Sequence, residues 1–199
     1  MTIMSKTVQD YLREKTDDKD TKFVQMACPF SLRPPPKHLG DYTFDNKFAI
    51  VNLNLRLVDN LKEGVKVINR DMQGLKNSIE PIGLYYLILI VMSLPSFVRW
   101  YVLEDYVSKM TFGFSNVPGP REPYIVDGKV NHGIGFNMPV GRSMVGSFSI
   151  ISHVNMIKVC ISMDKSVMES PKIISDMFLK NMDEMLGESW RDFHKARNS

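Results

Sequence analysis

The sequence predicts an α/β domain with a mixed, largely antiparallel sheet that is flanked by helices. Apolar and polar residues alternate over Phe48–Val58, as expected for a half-buried strand. From Leu61 to Ile79, apolar residues instead recur every three or four positions, which indicates a helix with one apolar stripe. Strand-pair patterns and a final helix follow, so strands and helices are interleaved along a chain of 199 residues, the length of one domain.

The composition narrows the range of partners and cofactors. The chain has 25 basic and 22 acidic residues and no basic run with interleaved aromatic residues, so we expect no nucleic-acid partner. The two cysteines, Cys28 and Cys160, lie far apart in apolar segments, so we expect buried reduced thiols, no metal site and no cofactor. The first 20 residues are polar and show no signal-peptide pattern, which favours an intracellular protein.

The chain is predicted to have three parts. Residues 1–21 form a polar N-terminal segment with a short helix over Thr7–Lys15, residues 22–187 form the main domain, and residues 188–199 form a polar tail. At the start of the domain, Phe23–Leu32 is a mostly apolar strand. The run Pro34-Pro35-Pro36 then indicates a stiff connector as far as Asp45, with a proline-rich ligand motif as the alternative.

The next strand and helix have well-defined apolar sides. The strand predicts a buried face and a polar face: Ala49, Val51, Leu53, Leu55 and Leu57 against Asn52, Asn54 and Arg56. The helix predicts one apolar stripe: Leu61, Val65, Ile68, Met72, Leu75 and Ile79. Gly64 and Gly74 lower its helix propensity, so it needs tertiary support. Packing on a sheet provides such support, and a coiled coil is the alternative.

Residues Pro81–Val98 carry no charged side chain over eighteen positions. A membrane-spanning helix needs about 20 apolar residues, and Gly83 and Pro95 interrupt this segment. The residues Arg99 and Trp100 that follow are typical of membrane interfaces. Three interpretations stay open: a buried core helix, a helix in contact with lipid, and a span. We expect this segment, and the apolar strand face before it, to be covered by lipid or by another chain.

The second half of the chain contains two strand pairs and a capped helix. Asp127-Gly128 within Tyr124–Val130 suits a type I′ hairpin turn. A second strand pair, Met144–Ile151 with Val154–Met163, is centred on Ser152-His153. The last helix is capped by Ser170, starts at Pro171 and ends at Gly187, with an apolar face of five residues: Ile174, Met177, Phe178, Met182 and Met185.

The most distinctive motif is Ser115-Asn116-Val117-Pro118-Gly119-Pro120. An alternating segment precedes it, so the motif is predicted to end a strand. Pro118-Gly119 suits the central positions of a type II turn, in which Gly119 has a positive φ. Pro118 and Pro120 remove two backbone donors, so strand pairing should stop here.

This motif resembles the signature of the C-terminal half of the wax ester synthase/diacylglycerol acyltransferase family. The similarity covers roughly residues 22–186 and is strongest from Thr111 onward. Three further segments resemble the family's arginine-containing strand end, its late strand pair and its closing helix: Phe30–Arg33, Ser147–Asp164 and Pro171–Leu186. Thr7-Val8-Gln9-Asp10 resembles the family's Asn-Asp motif, with Gln9 in place of the asparagine.

The resemblance implies one lobe of the two-lobed CoA-dependent acyltransferase fold, with a substrate tunnel between the lobes. It implies acyl transfer from acyl-CoA to an alcohol or a diacylglycerol. It also implies that four motif residues shape the tunnel or the lobe interface: Ser115, Asn116, Pro118 and Gly119. The family's general base comes from a His-His-x-x-x-Asp-Gly motif in the N-terminal lobe. No such motif occurs here, because the histidines are separate residues: His38, His132, His153 and His194.

No catalytic residue is therefore predicted. His132 and His153 are expected to be polar surface residues of loops. Two functional classes remain. The chain could be the C-terminal part of an acyltransferase, inactive alone, whose N-terminal catalytic lobe is missing or belongs to another chain. Alternatively, it is a catalytically silent structural or lipid-contacting subunit of a larger assembly, which could be membrane-associated through Pro81–Val98.

Overall fold

The fold is the predicted α/β type. The computed structural model describes residues 1–16, 18, 20–33, 38, 47–131, 133–141, 143–154, 156–168 and 170–187. Apart from His38, the predicted triple-proline connector lies outside the described residues, as does the polar tail. In chain order the elements are α1 (Thr2–Lys15), β1 (Phe23–Ser31), β2 (Phe48–Arg56), α2 (Leu61–Lys76), α3 (Glu80–Ser93), α4 (Ser96–Ser108), β3 (Phe112–Val117), β4 (Ile125–Val126), β5 (Lys129–Val130), β6 (Gly146–His153), β7 (Met156–Met163) and α5 (Pro171–Leu186).

Five strands form a mixed sheet in the order β2-β1-β3-β6-β7, and β4 and β5 form a separate hairpin. The pairs β1–β3 and β3–β6 are parallel, and β6–β7 is antiparallel. β2 runs antiparallel to β1, since Leu32 N donates to Lys47 O at one end and Leu57 N donates to Lys22 O at the other. The carboxyl ends of β1, β3 and β6 therefore lie at one edge of the sheet.

Contacts divide the chain into two compact units. The first comprises Met1–Val24, Asn54–Gly74 and Lys165–Ser199, and it contains α1, α5 and most of α2. The second comprises Gln25–Leu53 and Leu75–Asp164, and it contains α3, α4, the separate hairpin and most of the five-stranded sheet.

The strand face predicted at β2 is buried by the chain itself. Ala49, Val51 and Leu55 are almost fully inaccessible, and Asn54 and Arg56 on the opposite face are exposed. The expectation that lipid or another chain covers this face is therefore wrong. The alternation identified the buried side, but it could not show that the same chain supplies the covering residues.

The helix predicted over residues 61–79 is shorter than its apolar pattern. α2 ends at Lys76, and Ile79 lies beyond it with 81% of its surface exposed. Leu61, Ile68 and Leu75 are buried as predicted, whereas Val65 is exposed. The buried stripe is thus narrower than the spacing indicated.

The closing helix is capped as predicted. The Ser170 hydroxyl accepts a hydrogen bond from Lys172 N at 3.3 Å, Pro171 is the first helical residue, and Gly187 follows the helix with φ of 76°. Ile174 and Phe178 are buried on the apolar face. The hairpin turn is also confirmed, because Asp127 has φ of 50° between β4 and β5.

The first helix, α1, begins at Thr2, five residues before the predicted start.

A buried polar cluster joins α1 and α5 within the first unit. Asn181, which is 1% exposed, donates through Nδ2 to Thr7 Oγ1 at 3.2 Å and to Asp10 Oδ2 at 2.9 Å. Lys6 Nζ lies 2.9 Å from Asp10 Oδ1 and completes the cluster. An amide on the apolar face of α5 thus fixes the register of two helices.

We expect Asn181→Ala to destabilise the first unit. Truncation leaves Asp10, a charged group, without one of its donors, and hydrogen bonds to charged groups contribute roughly 1.5–3 kcal/mol. Lys180→Ala, one position away and exposed, is the matched control. Chemical denaturation of both variants measures the difference, and equal stabilities would show that the cluster does not hold the two helices together.

The uncharged segment is not a core helix. It forms α3 and then, after the break at Leu94-Pro95, the start of α4. Within α3, Pro81 and Val91 are buried, whereas Tyr86 and Ile90 are each 61% exposed. In the part of the chain that the structure describes, no single helix is long and apolar enough to cross a membrane, although α2 and α3 meet the length and composition criteria if taken together across their break.

Both cysteines are free, as predicted. Cys28 is buried in β1, and burial raises the pKa of its thiol to about 12, so it stays protonated at neutral pH. Cys160 lies in β7 and is partly exposed. The prediction that both are buried therefore holds for Cys28 alone.

Candidate functional site

The predicted site residues lie at the carboxyl end of β3, beside the carboxyl end of β6. The two strands pair in parallel, with Ser115 opposite Ser149 and Val117 opposite Ile151. In open α/β sheets, ligands bind outside the carboxyl ends of the parallel strands. The end of β3 and the end of β6, which is His153, together form the candidate site.

Two hydrogen bonds fasten the motif to the end of β6. Gly119 N donates to Ser152 Oγ at 3.1 Å, and Val154 N donates to Pro120 O at 2.8 Å. These bonds replace the strand ladder, which stops at Val117. The motif therefore continues along β6 beyond the last ladder pair. The end of the ladder at Val117 confirms the prediction from Pro118 and Pro120 that strand pairing stops at the motif.

The type II turn prediction for Pro118-Gly119 is wrong. Among the described glycines, positive φ is found at Gly128 and Gly187, and Gly119 is not one of them. Glycine is needed at position 119 for a different reason. A Cβ atom there would lie 1.8 Å from the carbonyl oxygen of Ser152, so a larger residue would collide with the backbone of β6.

We expect Gly119→Ala to destabilise the sheet by about 1–3 kcal/mol, because the clash forces the motif away from β6. Gly83→Ala is the matched control, since a Cβ at that position of α3 meets no atom within 4 Å. Thermal unfolding of the two variants gives the comparison. If Gly119→Ala unfolds like the wild type, the close approach to Ser152 does not hold.

The four predicted site residues differ in exposure. Ser115 is 7% exposed, Gly119 is half-buried, and Asn116 and Pro118 are exposed at the sheet edge. They lie together because all four belong to the short segment at the end of β3. Of the four, Asn116 and Pro118 are therefore the side chains that another lobe or a ligand can reach directly.

Small residues beside Ser115 let a chain segment approach the sheet closely. Ser147 Oγ donates to Met138 O at 2.8 Å, and Met138 N donates to Ser149 Oγ at 3.0 Å. The Met138 side chain lies over Gly113, where a Cβ would come within 2.0 Å of its terminal methyl. The serines of β6 thus hold the segment around Met138 and are not a nucleophile candidate.

His153 is not the surface residue that the sequence predicted. It is the last residue of β6 and is 3% exposed. Neither ring nitrogen has a hydrogen-bond partner among the described residues. The Tyr124 ring lies edge-on to the imidazole, with 5.8 Å between ring centroids. His132, the other candidate, lies outside the described residues.

The position of the hairpin turn explains this difference. The last pair of the β6–β7 ladder joins His153 and Met156, so the turn lies two residues later than Ser152-His153. Val154 has φ of 55°, an unfavourable conformation for a β-branched residue.

The chemistry available here is hydrogen bonding rather than nucleophilic catalysis. A general base needs an orienting group, and no carboxylate is hydrogen-bonded to His153 in the described part of the chain. Within the same ranges, no group of three or more His, Cys, Asp or Glu side chains could hold a metal ion.

Comparison with known proteins adds family and fold relationships. The family model for the WS/DGAT C-terminal domain matches residues 44–186. The solved wax ester synthase/diacylglycerol acyltransferase from Marinobacter aquaeolei VT8 is similar in fold, with a TM-score of 0.59 and 16% identity over 92% of this chain and 41% of that chain. No curated protein sequence matches this chain significantly.

A second solved structure, on condensation domain-mediated chain release from the enacyloxin polyketide synthase, has a TM-score of 0.52 and 11% identity. The match covers 94% of this chain and 35% of that chain. At these identities the likeness concerns the fold alone. This chain spans less than half the length of either structure.

Proposed function

Because this chain belongs to the WS/DGAT C-terminal domain family, we propose that it is the C-terminal lobe of an O-acyltransferase and acts together with an N-terminal catalytic lobe. The substrates are then an acyl-CoA and an alcohol or a diacylglycerol. The Marinobacter enzyme supports this proposal, since this chain corresponds to 41% of its length.

The division of labour follows from the chemistry. A general base must take the proton from the acceptor hydroxyl, whose oxygen then attacks the thioester carbon. The C–S bond breaks and the CoA thiolate leaves, taking up a proton. The sequence of this chain contains no adjacent histidine pair, so the base is assigned to the other lobe and the chain alone is inactive.

The observation that carries the proposal is the anchored motif at the carboxyl end of β3. Asn116 and Pro118 form the exposed surface that this lobe contributes to the tunnel or to the lobe interface, and the buried Ser115 and half-buried Gly119 support it from below. The bond from Gly119 N to Ser152 Oγ holds this surface on a sheet rather than on a free loop. A rigid surface suits the positioning of a long acyl chain against a second lobe.

We expect the isolated chain to form no wax ester or triacylglycerol from palmitoyl-CoA with hexadecanol or dioleoylglycerol. Co-expression with an N-terminal lobe that carries the paired histidines should give turnover, measured as radiolabelled ester. The same N-terminal lobe with both histidines changed to alanine is the control. Turnover by the isolated chain would contradict the assignment of the base to the other lobe.

A second candidate function is contact with lipid at an intracellular membrane surface. α3 has one charged residue, Glu80, and its exposed apolar side chains continue into α4. Burying one large apolar side chain contributes roughly 1.5–3 kcal/mol, so contact of this surface with lipid or with another protein is energetically favourable. The exposed apolar residues of this surface are Ile82, Tyr86, Leu87, Leu89, Ile90, Met92, Leu94, Phe97, Trp100, Tyr101 and Val102.

Liposome flotation distinguishes lipid from a protein cover. If lipid covers α3, the wild type floats with vesicles of phosphatidylcholine and phosphatidylglycerol, and Leu87→Lys/Ile90→Lys does not, because two ammonium groups must be desolvated. Ile157→Lys/Val167→Lys changes two other exposed apolar residues by the same charge and should still float. A wild type that is monomeric in size-exclusion chromatography and never floats would exclude the lipid-contacting alternative.

A further inference from the structure

We propose that the His153 imidazole is a binding group for the hydroxyl of the acyl acceptor. This inference rests on the proposed function, because it names the part of the reaction that this lobe serves. His153 is placed next to the motif by the parallel pairing of β3 and β6 and lies at the carboxyl edge of the sheet. It acts by holding the acceptor, while the base of the other lobe removes the proton.

The first argument is the unmet hydrogen-bonding capacity of His153. Its side chain is almost fully buried, and in the described part of the chain neither Nδ1 nor Nε2 is paired. Buried polar groups without partners are rare in folded proteins because they lower stability. A neutral imidazole has one donor and one acceptor, so a hydroxyl can pair with either nitrogen. A thioester carbonyl can pair with the protonated nitrogen only.

The second argument is the conformation of the backbone that follows. Val154 has φ of 55°, and its N–H is bonded to Pro120 O at 2.8 Å. Positive φ at a β-branched residue is unfavourable, and such conformations concentrate at functional sites. The strained turn keeps His153 as the last paired residue of β6, opposite Met156. An imidazole with no hydrogen-bond partner among the described residues and a strained turn thus lie side by side at the same sheet edge.

The Tyr124 ring contacts His153 edge-on, and in this proposal a ligand displaces it. Tyr124 itself is only half-buried. Its backbone is held independently of the ring, because Asn131 N donates to Tyr124 O at 2.9 Å. A rotation of the side chain therefore removes this ring contact without breaking the backbone bond of the β4–β5 hairpin. Removing the ring should make the imidazole easier to reach.

The binding test uses the full chain, labelled with ¹⁵N-histidine, and 1-octanol as the probe at constant pH. The four histidines give few signals, and comparison with His153→Phe assigns the pair that belongs to His153. We expect a saturable shift of the His153 ring nitrogens with 1-octanol and a much smaller one with methyl octyl ether, which cannot donate. No saturable shift, or equal shifts with both probes, would overturn the proposal.

Three variants separate binding from packing. His153→Phe keeps an aromatic ring against Tyr124 and should bind 1-octanol roughly three- to tenfold more weakly, the effect of one hydrogen bond. Its melting temperature should equal or exceed that of the wild type, because an unpaired polar group is removed. His153→Gln, which offers a donor and an acceptor, should recover most of the binding, and Tyr124→Ala should bind more tightly. Unchanged affinity in His153→Phe and His153→Gln alike would overturn the proposal.

The reconstituted two-lobe enzyme keeps this inference apart from the proposed function. His153→Phe should raise KM for the alcohol and leave KM for acyl-CoA unchanged. If turnover occurs but neither value changes, the inference about His153 fails while the proposed function stands. If no turnover occurs, the proposed function fails, and the nitrogen shifts with 1-octanol still decide whether His153 binds a hydroxyl.

Discussion

The parallel pairing of β3 with β6 is the constraint on which the candidate site depends. Six consecutive residue pairs, from Phe112 with Gly146 to Val117 with Ile151, fix the register of the two strands. A shift by one residue would turn every side chain to the other face of the sheet. The register places Ser115, which carries the start of the motif, beside Ser149 and brings the motif to Ser152 and His153. The edge-to-face contact of Phe112 with Phe148, 6.0 Å between centroids, packs the opposite face.

The same register explains why small residues dominate this part of the sheet. Gly119 and Gly113 lie where a Cβ would collide with Ser152 O or with Met138, and Ser147 bonds to the Met138 backbone. The side-chain size that fits at these positions is limited by chain segments that contact the sheet without being part of its strand ladder. A motif that looks like a turn signature in the sequence is therefore, in the structure, a close-packing signature.

A second feature of the structure is the exposed apolar surface of α3 and α4. α3 is apolar on every side, so no amphipathic stripe determines which side faces the protein. Soluble proteins that work as monomers rarely expose contiguous apolar patches of this kind. A complementary lobe and a lipid surface are both able to cover it, and the second candidate function assigns this role to lipid.

The sequence predicted features that depend on local chemistry and missed those that depend on tertiary contacts. The alternation at β2, the Asp127-Gly128 turn and the Ser170 cap were correct, because the residues themselves favour these conformations. The site was predicted only in part. Its four motif residues lie together as expected, but the burial of His153 depends on a turn placed two residues further along.

Two other features could not be read from one sequence. Asn181 lies on an apolar helix face, and only its partners Thr7 and Asp10, more than 170 positions away, explain its burial. The exposure of α3 depends on which other elements pack against this helix. Hydrophobic periodicity within the helix carries no information about such tertiary contacts.

The attachment of the segment around Met138 has a consequence for the dynamics of this lobe. Its contacts with β6 include two side-chain hydrogen bonds, from Ser147 and to Ser149, rather than a continuous ladder. Local opening in proteins has a free energy set by the bonds that the opening breaks. Lifting this segment from the sheet would therefore break these bonds and the contact of Met138 with Gly113, and it would leave the pairs of β3, β6 and β7 intact. Such an opening would expose the small-residue face of the sheet without unfolding of the domain.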